Sequence, residues 1–429
     1  MNDIFEGLPF KPADILLPRG CDLSLWSVVA CDQYTSRPEY WQRVEDRVGR
    51  APSALRLILP ESCLEGPSVE TDIMEVNNTM SRYLREGRFQ DYPDALFYVE
   101  RTLDSGKVRR GLVGMADLEQ YDYEPWAASA IRATEGTVMS RIPPRVAVRK
   151  NAPIELPHAM LLADDPGKTL IEPLAAQTGE MELLYDFDLM ERGGHVKGWK
   201  LTRAQVEHVA RTLQAMKVQS DGERGGLLLA VGDGNHSLAT AKACYERRKG
   251  LTDPGQWPGL PSRYALCELV NLHDDSLEFE PIHRVAFGVK PEVLLDAMGR
   301  YYPDALRGRQ IDPRVRAIAQ CISFVYREGE GEFALLHSAS LTEAGALHDF
   351  LDQYLERNPR VRVDYIHGEA EARALARERE DAVAFLLPAM DKGDLFPSVL
   401  HHGALPRKTF SMGEAHDKRF YLEARKIRK

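Results

Sequence analysis

The sequence has no apolar run approaching the ~20 residues that a membrane-spanning helix needs. Its opening, MNDIFEGLPFKPADILLPRG, also lacks the basic-then-apolar order of a secretory signal, so a cytoplasmic protein is expected. Cysteine is sparse: six are scattered through the chain, with no CxxC pair and no Cys/His spacing that suggests zinc. That excludes a disulfide framework and leaves reduced, mostly buried thiols. Basic charge is in deficit, with 55 Lys and Arg against 65 Asp and Glu and a formal net charge of −10. A phosphate backbone is bound by clustered Lys and Arg, and RRGL and RYYPDALRGR are too short to form such a face, which argues against nucleic acid as a partner.

Repeats and signature motifs are missing as well. No solenoid period and no low-complexity tract occurs. GxSxG and HExxH are absent. DDPGKTL at Asp164–Leu170 resembles a P-loop, but Leu162 stands where its first glycine is required, and Asp165-Pro166-Gly167 reads as a turn.

What is present is a globular composition, 44% hydrophobic and 28% charged over 429 residues, enough for two or three domains. Three regions are read: 1–155, 156–290 and 291–429. Ser27–Ala30, Leu55–Leu59, Ala95–Val99, Gly111–Met115 and Ala159–Ala163 read as strands. So do Glu182–Asp188, Val196–Leu201, Tyr264–Leu272 and Ala382–Pro388. Helical spacing marks Tyr40–Val48, Thr71–Arg85 and Thr202–Met216. Between Tyr121 and Pro157 a polar segment around RIPPR reads as an extended connection. The mixture predicts an α/β (α+β) fold built on a mixed sheet.

One stretch concentrates chemistry: LLLAVGDGNHSLATAKACYE, Leu227–Glu246. An apolar run ends in Gly232-Asp233-Gly234-Asn235-His236, and Leu238, Ala241 and Tyr245 then recur at helical spacing. Strand, turn and helix are predicted. Such a junction points unpaired N–H groups and the positive end of a helix dipole at the turn, where an anion can bind. Gly232 and Gly234 would let a ligand approach the backbone. Asp233 suits a metal or a ligand hydroxyl, and His236 suits phosphate or proton transfer. A turn with Asn235 or Ser237 as helix cap explains the same letters without a ligand. The spacing is not the GxGxxG of dinucleotide folds.

Six strings, in order, resemble an uncharacterised bacterial and archaeal family, domain of unknown function 1015. They are Val28-Val29-Ala30 with Tyr34, Pro52–Pro60, Ala133–Thr137, Gly232–Ala241, Pro281–Arg284 and Pro406–Thr409. The family's D-G-H-H-R string is in turn similar to the phosphate-contacting motif of ParB/sulfiredoxin-like nucleotide-binding proteins. The resemblance implies a ParB/sulfiredoxin-like core at 156–290 and a C-terminal α/β region. It also implies ATP or ADP with Mg²⁺ brought in by the nucleotide, and phosphoryl transfer to a small polar molecule such as serine or phosphoserine. Glu135, Asp233 and His236 would be catalytic. Gly232, Gly234, Asn235, Ser237, His283, Arg284, Lys408 and Thr409 would hold the ligand, and no metal site made by the protein alone is expected.

The chain departs from the pattern where Asn235 and Thr134 replace histidines, Ala239 replaces a glutamate and Ser237 replaces an arginine. Serine cannot imitate a guanidinium fork. Either Arg145, Arg149, Arg284 or Lys408 neutralises the ligand, or the protein is a non-catalytic nucleotide sensor.

Overall fold

The computed structural model describes residues 2–428 apart from 36, 65, 224, 341 and 407. It divides into two compact units, residues 1–277 with 413–429, and residues 278–412. Strands from both sides of residue 155 pair within a single sheet of the first unit. Residues 1–155 and 156–277 therefore contribute strands to one layer, while 278–290 belong to the second unit.

Among the described residues, the large sheet of the first unit has ten strands: β1 Phe10–Lys11, β2 Phe97–Thr102, β3 Val108–Asp117, β4 Tyr121–Asp122, β5 Ile131–Ala133, β6 Met160–Ala163, β7 Glu182–Asp188, β8 His195–Lys200, β9 Leu229–Asp233 and β10 Tyr264–Asn271. Their order is β7-β8-β2-β3-β10-β6-β9-β5-β4, with β1 on β3. The sheet is mixed: β9 is parallel to β5 and antiparallel to β6, while β10 is parallel to β6. Side chains alternate in facing along each strand. Leu96, Tyr98 and Leu112 enter one apolar cluster, and Phe97, Val99 and Val113 enter another, so both faces are covered. Helices α1 Pro38–Val48, α2 Val69–Arg85, α3 Ile142–Arg149, α4 Arg203–Glu223 and α5 Asn235–Lys249 also belong to the unit. α1 shows why such segments are helical: Pro38 opens its first turn, and Tyr40, Val44 and Val48 are buried at four-residue spacing.

The second unit carries a mixed α/β fold of its own. Its strands are β11 Phe279–Phe287, β12 Leu306–Gly308, β13 Gln320–Tyr326, β14 Gly329–Leu335, β15 Arg362–His367, β16 Ala382–Leu386 and β17 Phe410–Met412. They pair in the order β12-β14-β13-β16-β11-β15, with β17 also on β11. Along β16, Val383 and Phe385 pack on one side, and Ala384 and Leu386 on the other.

Four sequence expectations change. Ser27–Ala30 is no strand: it makes a single bridge, Val29 to Phe420, supplied by residues 413–429 returning to the first unit. Leu55–Leu59 forms a 3₁₀ turn at Ala54–Leu57, because the Ser53 hydroxyl accepts the Leu55 N–H and Arg56 pairs with Glu45. RIPPR is not extended: its prolines occupy the first turn of α3, the one helical position that tolerates them. Of the cysteines, which are all free, Cys267 is buried and the other five are partly buried. No helix among the described residues is long and apolar enough to cross a membrane.

Candidate functional site

The expected strand–turn–helix at 227–246 is present. Leu229–Val231 are buried in β9, Gly234 adopts φ 76°, and α5 starts at Asn235. Glycine is required at 234 for two reasons. The left-handed backbone favours it, and a Cβ there would stand 2.8 Å from the Ala159 Cα. Neither Asn235 nor Ser237 caps the helix. α5 begins early enough to take both inside its first turn, and no side-chain cap bond forms. The first intrahelical bond runs from the Leu238 N–H to the Gly234 carbonyl at 3.0 Å. An uncapped helix start therefore faces the turn, with its dipole positive end outward.

Because β5 and β9 are parallel, the chain segments leaving them emerge at the same edge of the sheet. Two hydrogen bonds tie these exits together. The Thr134 hydroxyl donates to the Val231 carbonyl at 2.6 Å, and the Val138 N–H donates to His236 Nε2 at 3.2 Å. Neutral His236 therefore carries its proton on Nδ1. Glu135, half-buried, lies in the segment between those two bonds. Asp233 accepts the Gly234 N–H through Oδ1 at 2.8 Å and faces Lys418 Nζ through Oδ2 at 3.3 Å.

Asn235 Oδ1 and Thr137 Oγ1, on the two tied segments, are buried without a hydrogen-bond partner among the described residues. A buried polar atom left unpaired costs about 1–3 kcal/mol, so each calls for a partner from outside the chain, ligand or water.

Lys418 was not legible in the sequence, and neither were two groups beside it. The Tyr421 hydroxyl accepts the Cys31 N–H at 3.1 Å and lies 2.8 Å from His158 Nδ1. Next to Cys31, burial pushes the Asp32 carboxyl up, but the charge of His158, a bond from Gln33 and the charge of Lys418 outweigh it and hold Asp32 below its ordinary value. Burial pushes the Cys31 thiol up to about 12, which keeps it protonated.

A buried charge cluster sets the backbone that carries Lys418. Arg419 pairs with Glu268, with Glu423 at 2.5 Å, and with the carbonyl of Pro157, the residue before His158, at 3.2 Å. Arg101 donates to the carbonyls of His416 at 2.9 Å and Lys418 at 3.3 Å.

Three of the four cations proposed to stand in for the missing arginine are engaged elsewhere. Arg145 pairs with Glu61 at 2.5 Å and Arg149 pairs with Glu155. Arg284 lies in the interior of β11; it is buried, donates to the Ile282 carbonyl and to the Lys408 carbonyl at 2.9 Å, and covers the Tyr365 ring. His283 is buried with Nδ1 accepting the Leu387 N–H at 3.1 Å. Thr409, also buried, donates to the Pro406 carbonyl at 2.6 Å, and Lys408 is exposed at φ 61°. Glu135, Gly232, Asp233, Gly234, Asn235, His236 and Ser237 thus belong to the first unit, and His283, Arg284, Lys408 and Thr409 to the second. Arg407, inside the last family-like string, is outside the described residues.

Among the described residues no group of three or more His, Cys, Asp or Glu is arranged to hold a metal ion. Asp233 is the turn's own carboxylate, and Glu135 lies on the segment that follows the parallel strand β5.

The family model for a protein of unknown function, DUF1015, matches residues 9–360. The chain belongs to this family. The match takes in five of the six strings and ends before Pro406–Thr409 and Lys418. No curated protein matches this DUF1015 chain. Solved structures similar to it at low identity include the following three. A free serine kinase mutant in complex with AMP shares 12% identity over 73% of this chain and 91% of its own, at a TM-score of 0.41. SbnI with a C-terminal truncation, from Staphylococcus aureus, shares 10% over 70% and 82%, at 0.37. A conserved hypothetical protein from Pyrococcus furiosus shares 11% over 73% and 94%, at 0.38. None of them carries a residue role over to this chain.

Proposed function

We propose that this DUF1015 protein binds the phosphates of a nucleotide or a phosphorylated metabolite at Gly232–His236 and transfers a phosphoryl group to a small polar substrate. One observation carries the reading: an uncapped helix start behind a left-handed glycine, at the shared exit of parallel β5 and β9, with Asn235 Oδ1 and Thr137 Oγ1 unpartnered on the two segments that meet there. Ligands of open α/β sheets lie at the carboxyl ends of their strands, and helix starts suit phosphate. The similarity of the turn to the ParB/sulfiredoxin-like motif supports the same reading.

In the proposed reaction the substrate hydroxyl oxygen attacks the terminal phosphorus, the bond from phosphorus to the bridging oxygen breaks, and that oxygen leaves with the nucleotide. The hydroxyl proton passes to Glu135. Stabilisation comes from positioning and from the helix start.

Thermal melting with ATP, ADP, CTP or phosphoserine tests the binding step. A ligand at about 100 times its Kd stabilises by about 2.7 kcal/mol through mass action. No shift with any of the four defeats the proposal.

A second reading, a nucleotide sensor without turnover, draws on Thr134. Where the family has a histidine, this chain has a hydroxyl already committed to the Val231 carbonyl. Glu135→Gln separates the two. An enzyme loses turnover at retained affinity, whereas a sensor has none to lose and keeps its affinity.

A further inference from the structure

Lys418 Nζ and Asp233 Oδ2 are 3.3 Å apart with only 13% and 21% of their side chains exposed. Neither is a loose surface charge. Asp233 cannot turn away freely, because Oδ1 holds the Gly234 N–H at the turn. Lys418 is delivered by a backbone held on both sides: its carbonyl accepts from Arg101, the Ala30 N–H donates to the Arg419 carbonyl at 2.9 Å, and the Tyr421 N–H donates to the Val28 carbonyl at 2.8 Å. Only the flexible stem and ammonium of Lys418 are left to move.

This pair meets a difficulty at the turn. A phosphate on the start of α5 needs a cation, and Ser237 supplies none. Lys418 is at hand, but the ammonium is spent on Asp233. A bare polyphosphate that drew it away would leave an uncompensated carboxylate beside its own negative charge. A metal-complexed polyphosphate brings both halves of a replacement pair. Its Mg²⁺ can take Asp233, since Mg²⁺ is held by one or two carboxylates together with the substrate's phosphates, and its phosphate oxygens can take Lys418.

Resting on the phosphate-binding reading above, we infer that Lys418 and Asp233 form an exchangeable ion pair that selects a Mg²⁺-bound nucleoside polyphosphate. Lys418 moves to phosphate and Asp233 to the metal. The ligand class is thereby narrower than phosphorylated metabolites in general. A monophosphate arriving without a metal does not open the pair.

Isothermal calorimetry with ADP, in Mg²⁺ and in EDTA, tests this on the full chain. Wild type is expected to bind Mg²⁺–ADP about tenfold or more tightly than ADP in EDTA, the scale of one charge-assisted hydrogen bond. Lys418→Met should lose a similar factor for Mg²⁺–ADP, and Lys418→Arg should keep most of it. Asp233→Asn should erase the Mg²⁺ preference by raising affinity in EDTA. If Lys418→Met leaves Asp233 unpaired and the protein melts early, the double variant Lys418→Met with Asp233→Asn restores the charge balance, and its weaker ADP binding in EDTA relative to Asp233→Asn alone reads the Lys418 contribution. Equal wild-type affinity with and without Mg²⁺, or Lys418→Met binding like wild type, overturns the exchange while leaving phosphate binding standing. No wild-type binding of ADP in either buffer removes the phosphate-binding reading and the exchange with it.

Discussion

The Thr134 hydroxyl donates to the Val231 carbonyl at 2.6 Å, joining the first residue after β5 to the last buried residue of β9. Both residues are buried, so the bond is made away from competing water. It locks the segment of Glu135 to the strand that leads into Asp233 and Gly234. Thr134→Val keeps the shape and removes the donor, leaving the Val231 carbonyl short of a partner. A loss of about 1–2 kcal/mol in chemical denaturation is expected. ADP affinity should fall in parallel, because this bond and the Val138–His236 bond tie the Glu135–Val138 segment to β9 and α5. Unchanged stability and unchanged affinity together refute the lock.

How much of this site was legible depended on how locally it is encoded. The β9–α5 junction needs only an apolar run, a glycine and helical spacing, all within twenty residues of sequence, and it folds as read. Its cap was misread because Asn235 and Ser237 are good caps in isolation, while the left-handed Gly234 starts the helix ahead of both. Glu135 entered only through a family-like string, since an isolated glutamate in a loop has no pattern. Lys418, His158 and Asp32 were out of reach. They are assembled by residues 413–429 returning to the first unit, a long-range pairing that leaves no periodic trace. The same return explains Val28–Ala30, an apolar run whose neighbour is that C-terminal segment and no strand of the sheet.

His195 on β8 places Nδ1 2.6 Å from Asp188 and Nε2 2.6 Å from Asp186, both on the partner strand β7. Partial burial pulls its pKa down, but hydrogen bonds to Asp188 and Asp186 outweigh this and raise it above its ordinary 6.5. A histidine with a raised folded-state pKa contributes stability that is complete below about 6.5 and is lost as pH rises through the higher folded value. The difference in melting temperature between wild type and His195→Gln should therefore be largest near pH 5.5 and shrink above neutrality. The exposure of Asp188 and Asp186 makes the effect small and salt-sensitive. A difference that grows with pH contradicts the clamp.

Glu268 sits between Arg419 and Arg109, with the Arg109 guanidinium 3.7 Å away, and Arg101 lies close enough to act on the same carboxylate. The site is crowded with positive charge: burial and Arg109 together pull the Arg101 guanidinium down to about 9. Gly111 makes room for the glutamate, since a Cβ there would stand 2.6 Å from its Oε1. Glu268→Gln keeps the volume and removes the negative charge, leaving buried guanidiniums undercompensated. Breaking such a pair from one side costs about 3–5 kcal/mol. Burial pushes the Glu268 carboxyl up, but Arg419 and Arg109 prevail and hold it below its ordinary 4.5. Its contribution is thus present above about 4.5 and lost as pH falls through the lower folded value. The stability gap between wild type and variant should close on acidification. Because Arg419 anchors the backbone of Lys418, Glu268→Gln should also weaken Mg²⁺–ADP binding at neutral pH, with Glu268→Asp recovering part of it. A variant that is destabilised yet binds Mg²⁺–ADP as wild type does would show that Lys418 is held by its own ion pair, independently of the cluster beneath it.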